Sequence, residues 1–159
     1  SLNARDSTAI PFPSLSVYDE TGGKRGGNVL DSYKIFEVGC EKLAIIGITT
    51  PESFTKSTPA YFQDEEGNYI YGIAGGSDGA ALYADVQKAI DAAKAEGATQ
   101  VIALGHLGVD ASSSPWTSTE VIASVSGLDA FIDGHSHTTI PTQGDNATDG
   151  NPVTPPHTG

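Results

Sequence analysis

Two short segments constrain this chain more than any others. They are Val101-Ile102-Ala103-Leu104-Gly105-His106 and Ala130-Phe131-Ile132-Asp133-Gly134-His135-Ser136-His137. Each runs apolar and then reaches Gly-His. A short apolar run bounded by glycine reads as a buried strand. Two parallel strands that both end in Gly-His bring imidazoles side by side at the carboxyl edge of a sheet. Open α/β sheets seat their ligands at that edge. Three of the four histidines of the chain lie in these segments. The arrangement points to a metal site, or to part of one.

The flanking sequence supplies the rest of such a sheet. Residues 42–48 (Lys-Leu-Ala-Ile-Ile-Gly-Ile) are nearly all apolar and rich in isoleucine, as a buried strand is. Residues 33–38 alternate and pair with them as a hairpin across Gly39-Cys40-Glu41. A short strand is expected at 15–18. Leu82, Val86, Ile90 and Ala93 form one stripe of a helix over 78–96, capped by Ser77 or Asp78 and ended by Gly97. A strand follows at 100–104. Ser114-Pro115 then opens a second helix, with serine as cap and proline at the first position. Gly127 stops that helix, and a strand spans 128–132. Strand–helix–strand–helix–strand order predicts βαβ units and a parallel sheet. Between them, residues 49–79 form a long excursion whose aromatic residues anchor it to the body or cover a substrate. A further extended piece is expected near Val153.

Length and charge narrow the function classes. At 159 residues the chain makes one domain, 1–159, able to bury most of its apolar surface. Twenty acidic against eight basic residues give a formal charge of −12. That argues against a nucleic-acid polymer as partner, because phosphate backbones are gripped by a basic surface. No apolar run reaches the roughly 18 residues of a membrane span, and no segment reads as a signal peptide. The chain has no methionine, so it is expected to be a processed product or a fragment. Its single cysteine, Cys40, has no internal disulfide partner and lies in a turn without an activating neighbour.

Imidazole suits zinc, manganese, iron and cobalt, and it binds in its neutral form. Glycine before each histidine frees the backbone to turn sharply at the strand end. His135 and His137 lie two apart and, in extended chain, project to the same side. His106 reaches them from the neighbouring strand. Asp133 either orients a histidine from behind or caps the turn. Asp110 is a weaker carboxylate candidate, and His157 reads as a solvated tail residue. Gly75-Gly76-Ser77-Asp78-Gly79 lacks the lysine of a phosphate-binding loop and the glycine spacing of a dinucleotide site, so it reads as a helix entry.

With these segments in hand, the chain resembles the 5′-nucleotidase, UDP-sugar hydrolase and 2′,3′-cyclic-nucleotide phosphodiesterase branch of the calcineurin-like metallophosphoesterases. Three stretches carry the resemblance: 42–52 (Lys-Leu-Ala-Ile-Ile-Gly-Ile-Thr-Thr-Pro-Glu), 101–108 (Val-Ile-Ala-Leu-Gly-His-Leu-Gly) and 128–138 (Leu-Asp-Ala-Phe-Ile-Asp-Gly-His-Ser-His-Thr). They stand in the family's order and span about residues 14–140. The resemblance implies an α/β fold, a partial metallophosphoesterase sandwich with a mostly parallel sheet, βαβ units and an N-terminal hairpin. It implies that His106 and His135 bind one divalent ion and His137 the other. Zinc, manganese, cobalt, iron and magnesium are the candidate metals, two ions in the complete enzyme. It implies hydrolysis of nucleotide phosphate esters by a metal-bound hydroxide attacking in line. It also implies an extracellular, cell-surface or periplasmic setting, with a secreted or surface bacterial enzyme as the expected parent.

The family's earlier blocks, Asp-x-His, Gly-Asp and Gly-Asn-His, do not occur in this chain. They supply the bridging aspartate, the remaining ligands and the catalytic histidine. The chain therefore resembles the second half of a catalytic domain, without the N-terminal half and without the C-terminal nucleotide-binding domain. It is expected to be inactive alone. Such a half exposes an apolar sheet face, which a homodimer would cover. Two other readings compete: a non-catalytic metal-binding module, and a structural domain whose histidines bind nothing.

Overall fold

The computed structural model describes residues 17–20, 25–56 and 59–138. Six strands occur among them: β1 (Val17–Asp19), β2 (Tyr33–Val38), β3 (Glu41–Thr49), β4 (Tyr71–Ile73), β5 (Gln100–His106) and β6 (Ala130–Ile132). Three α-helices accompany them: α1 (Ser53–Lys56), α2 (Ala80–Ala95) and α3 (Ser118–Ser124). One sheet has the order β2-β3-β5-β6. Its β2–β3 pair is antiparallel, while β3–β5 and β5–β6 are parallel. The α/β class, the hairpin and the parallel βαβ order read from the sequence are all present.

The sheet has two unlike faces. Ala44, Ile46 and Ile48 of β3 and Val101 and Ala103 of β5 are buried. They form one core with Leu82, Val86, Ala89, Ile90 and Ala93 of α2 and with Val121 and Ile122 of α3. The alternate residues Leu43, Ile45, Ile102 and Leu104 are only half-buried. Beside them, Phe36 opposite Leu43 is 37% exposed and Ile132 opposite Leu104 is 60% exposed. The helices thus cover one face of a sheet whose residues are apolar on both.

Several boundaries differ from the sequence expectation, each for a local reason. The first strand runs one residue past the expected end, to Asp19, while residues 15 and 16 lie outside the described residues; it pairs antiparallel with β4, a strand inside the long excursion that alternation did not reveal. Its three residues are too few to carry a period. Helix α2 starts at Ala80 behind Gly79, which has φ 77° and no side-chain cap; Asp78 Oδ1 instead accepts the Ala80 N–H at 3.0 Å. At its other end Gly97, at φ 93°, closes a Schellman pattern, with Ala98 N–H donating to Ala93 O and Gly97 N–H to Lys94 O.

The second helix does not start at Ser114-Pro115. Thr117 caps it in a full capping box, its hydroxyl accepting from Glu120 N while the Glu120 carboxylate accepts from Thr117 N. Trp116 therefore lies ahead of α3 and donates its indole N–H to Gly76 O at 3.0 Å. Strand β6 is shorter than expected because Asp129 takes over its first position, its carboxylate accepting the Val101 N–H at 2.8 Å. In the excursion, Phe54 packs on Phe62 and Tyr69 at ring distances of 5.0 and 5.3 Å. Those rings anchor the segment to itself. The expected piece near Val153 and the tail residue His157 lie outside the described residues.

Candidate metal centre at the carboxyl edge of the sheet

Strand β5 ends on His106, in register with Thr49 of β3. Strand β6 ends earlier, at Ile132, so His135 lies three residues past its strand. The two rings still meet: their centroids are 4.9 Å apart, tilted by 67°. Parallel strands that end at the same edge make this meeting possible, and the residues after β6 bring His135 to the end of β5.

The backbone does this differently from the sequence expectation. The glycines do not supply the turn. Positive φ falls on the histidines themselves, at 85° for His135 and 56° for His137. Left-handed backbone at two non-glycine residues in three positions costs on the order of 1 kcal/mol or more each and clusters at functional sites. The chain here is therefore not extended, and the alternation argument for a common side of His135 and His137 does not apply. The glycines supply room instead. A Cβ on Gly105 would lie 2.4 Å from the Phe131 ring, and one on Gly134 would lie 3.4 Å from His106 Nδ1.

Asp133 fixes the two strand ends to each other. One carboxylate oxygen accepts the Leu107 N–H at 2.9 Å and the other accepts the Gly108 N–H at 2.8 Å. Those are the two residues after His106, so Asp133 holds the loop that carries His106 rather than bonding an imidazole. Ser136 Oγ adds a third tie by accepting the Val109 N–H at 3.3 Å. Asp110 caps a short 3-10 turn, accepting the Ser112 N–H at 3.1 Å, and plays no part at the ring pair. His137 is exposed, and among the described residues no ring contact joins it to His106 or His135. Nor do three or more His, Cys, Asp or Glu side chains come together there as a metal cage.

One residue at this edge was not singled out by sequence reasoning. Glu52, 8% exposed, follows the carboxyl end of β3. Its Oε2 lies 2.9 Å from His135 Nε2 and accepts the Ser113 hydroxyl at 2.7 Å. Its Oε1 pairs with Lys56 Nζ at 2.6 Å. Burial alone would push this carboxyl up. The hydrogen bonds from Lys56, Ser113 and His135, with the Lys56 charge, outweigh burial and hold it below its ordinary value of 4.5. The available signal was a carboxylate four residues past Ile48, at the edge where α/β sheets gather functional groups.

No protein-family model matches the chain. Individual proteins do. A 5′-nucleotidase of Diplobatis ommata is 28% identical over 135 residues, covering 81% of this chain and 19% of that protein. A snake venom 5′-nucleotidase of Naja atra is 30% identical over 135 residues, covering 81% and 21%. The calcineurin-like phosphoesterase YfkN of Bacillus subtilis shares the fold, with a TM-score of 0.64 at 24% identity over 84% of this chain and 39% of that one. The chain spans about a fifth of the length of the curated relatives it matches. Sequence similarity along most of its residues and a common fold agree: this chain is similar to a segment of 5′-nucleotidases and shares the fold of a calcineurin-like phosphoesterase.

Proposed function

We propose that the chain is the histidine-bearing part of a metal-dependent phosphoesterase of 5′-nucleotidase type, acting on nucleotide phosphate esters. The observation that supports this most is the pairing of the His106 and His135 rings, 4.9 Å apart, at the carboxyl edge of the sheet. Two imidazoles so placed suit a first-row divalent ion. His106 and His135 would share one ion and His137 would serve a second. Zinc, manganese, cobalt, iron or magnesium held by these residues would supply Lewis acidity toward a phosphoryl oxygen and a more acidic bound water.

The chain's own residues contribute placement. Asp133 and Ser136 tie the two histidine loops together, and Glu52 holds His135 from behind. The family's bridging carboxylate and catalytic histidine have no counterpart in this sequence, so the remaining ligands come from the other part of the catalytic domain. That part, or a second copy of this chain, packs on the half-open sheet face around Leu43, Ile45 and Leu104. The venom enzymes among the relatives support a site of action outside the cytoplasm.

The test combines calorimetry and turnover. Zinc or manganese binds the wild-type chain, and His106→Ala and His135→Ala each weaken that binding at least about tenfold, the loss of one of few ligands. The chain alone leaves p-nitrophenyl phosphate unhydrolysed. Ion binding that ignores both substitutions would remove the proposal. Tight binding by the chain alone, undiminished when the rest of the enzyme is absent, would favour a dedicated metal-binding module instead.

A further inference from the structure

The Glu52 carboxylate is buried and receives three side chains: Ser113 Oγ at 2.7 Å and His135 Nε2 at 2.9 Å on one oxygen, and Lys56 Nζ at 2.6 Å on the other. Its backbone is held as well, with Glu52 N–H donating to Thr50 Oγ1 at 3.2 Å. The side chain is thus fixed from both ends, on a segment that follows β3 directly. His135 is the opposite case. It lies past its strand, in left-handed backbone, and its ring orientation is not set by a strand ladder. A loop histidine needs a partner on one ring nitrogen if the other is to face a ligand.

We propose that Glu52 is the positioning residue of His135: it accepts a hydrogen bond from Nε2–H, fixes the ring, and leaves Nδ1 as the nitrogen with a free lone pair. An ionised carboxylate only accepts, so a neutral imidazole that bonds to it through Nε2 carries its proton there. Lys56 and Ser113 donate to the same carboxylate, so each contact favours the acceptor-only form. His106 has no such partner among the described residues; its place comes from β5 itself. The assignment gives the site a defined donor atom on the residue whose backbone defines it least. It rests on the proposed function for its consequence, but not for its test.

The test reads the proton directly, in the protein without added metal. Nitrogen-15 NMR of the neutral histidine rings should show a pyrrole-type Nε2 and a pyridine-type Nδ1 for His135. A slowly exchanging Nε2–H cross-peak should be visible at this ring and lost in Glu52→Ala. Nδ1 carrying the proton in the wild type overturns the proposal, as does an Nε2–H signal that survives unchanged in Glu52→Ala. Should the variant not fold, the wild-type pattern alone decides. Zinc calorimetry separates the two claims. With the metal site real, Glu52→Ala weakens binding by about 10–100-fold. If the wild type binds no zinc, the metal reading fails while the ring-proton result still stands or falls independently.

Discussion

His106 and His135 share the dipeptide Gly-His and the same sheet edge, yet the fold places them by different means. His106 is the last residue of a seven-residue strand, and the next residue, Leu107, is fully buried. Its position follows from the core. His135 is in left-handed backbone three residues beyond a three-residue strand, and its place depends on polar contacts to Glu52 and on the neighbouring Ser136. The backbone of one histidine ends a strand beside a buried leucine and is tied by Asp133 just after it, while the ring of the other is held by a directed bond to Glu52. The first combines the buried Leu107 side chain with the two Asp133 bonds. The second is weaker, and it responds to the charge of one carboxylate.

The largest effect expected from this contrast is at Leu107. Truncation to alanine empties a fully buried site and should lower stability by about 2–5 kcal/mol. Urea unfolding reads it as a lower midpoint at unchanged slope. On the His135 side, Ser136→Ala removes one acceptor for Val109 N–H and should cost only about 0.5–1.5 kcal/mol. Equal losses from the two substitutions would erase the distinction.

The two glycines sharpen it further. Gly105→Ala drives a methyl group into the Phe131 ring and should cost about 1–3 kcal/mol. Gly134→Ala meets only His106 Nδ1 at ordinary contact distance and should stay within about 0.5 kcal/mol. A Gly134 variant as damaged as the Gly105 variant would mean that the loop after β6 is packed as tightly as the strand.

These contrasts also explain how much could be read from the sequence. The runs 42–48, 100–104 and 128–132 announce strands because burial demands continuous apolar residues, and the stripe from Leu82 to Ala93 announces a helix by its period. The Gly-His endings put His106 and His135 at one edge, and the rings do meet there. What the sequence could not show is how the chain reaches that edge. Left-handed backbone at His135 and His137 is not announced by residue type, since most histidines lie at negative φ. Thr117-x-x-Glu120 outcompeted Ser114-Pro115 as a helix start, because a reciprocal pair of cap bonds satisfies two backbone groups where a lone serine satisfies one. Glu52 became visible only through contacts with Ser113 and His135, 61 and 83 residues away along the chain. No local pattern encodes such pairings.

The smallest effect concerns pH. Glu52 is held below its ordinary carboxyl value of 4.5 in the folded chain, so its carboxylate contributes stability above that value. This contribution is lost as pH falls through the lower folded-state value. Unfolding midpoints measured downward from pH 6 should therefore fall less steeply for Glu52→Gln than for the wild type. Parallel curves would show that the carboxylate is not held in its charged form by its three partners.

The central claim is that His106 and His135 act together on one ion. Paramagnetic broadening by manganese tests it most directly, read at the ring signals of both histidines as the metal is added below one equivalent. The account predicts that the two rings broaden together and that His135→Ala abolishes the effect at His106. Broadening of one ring without the other, or of neither, would contradict it.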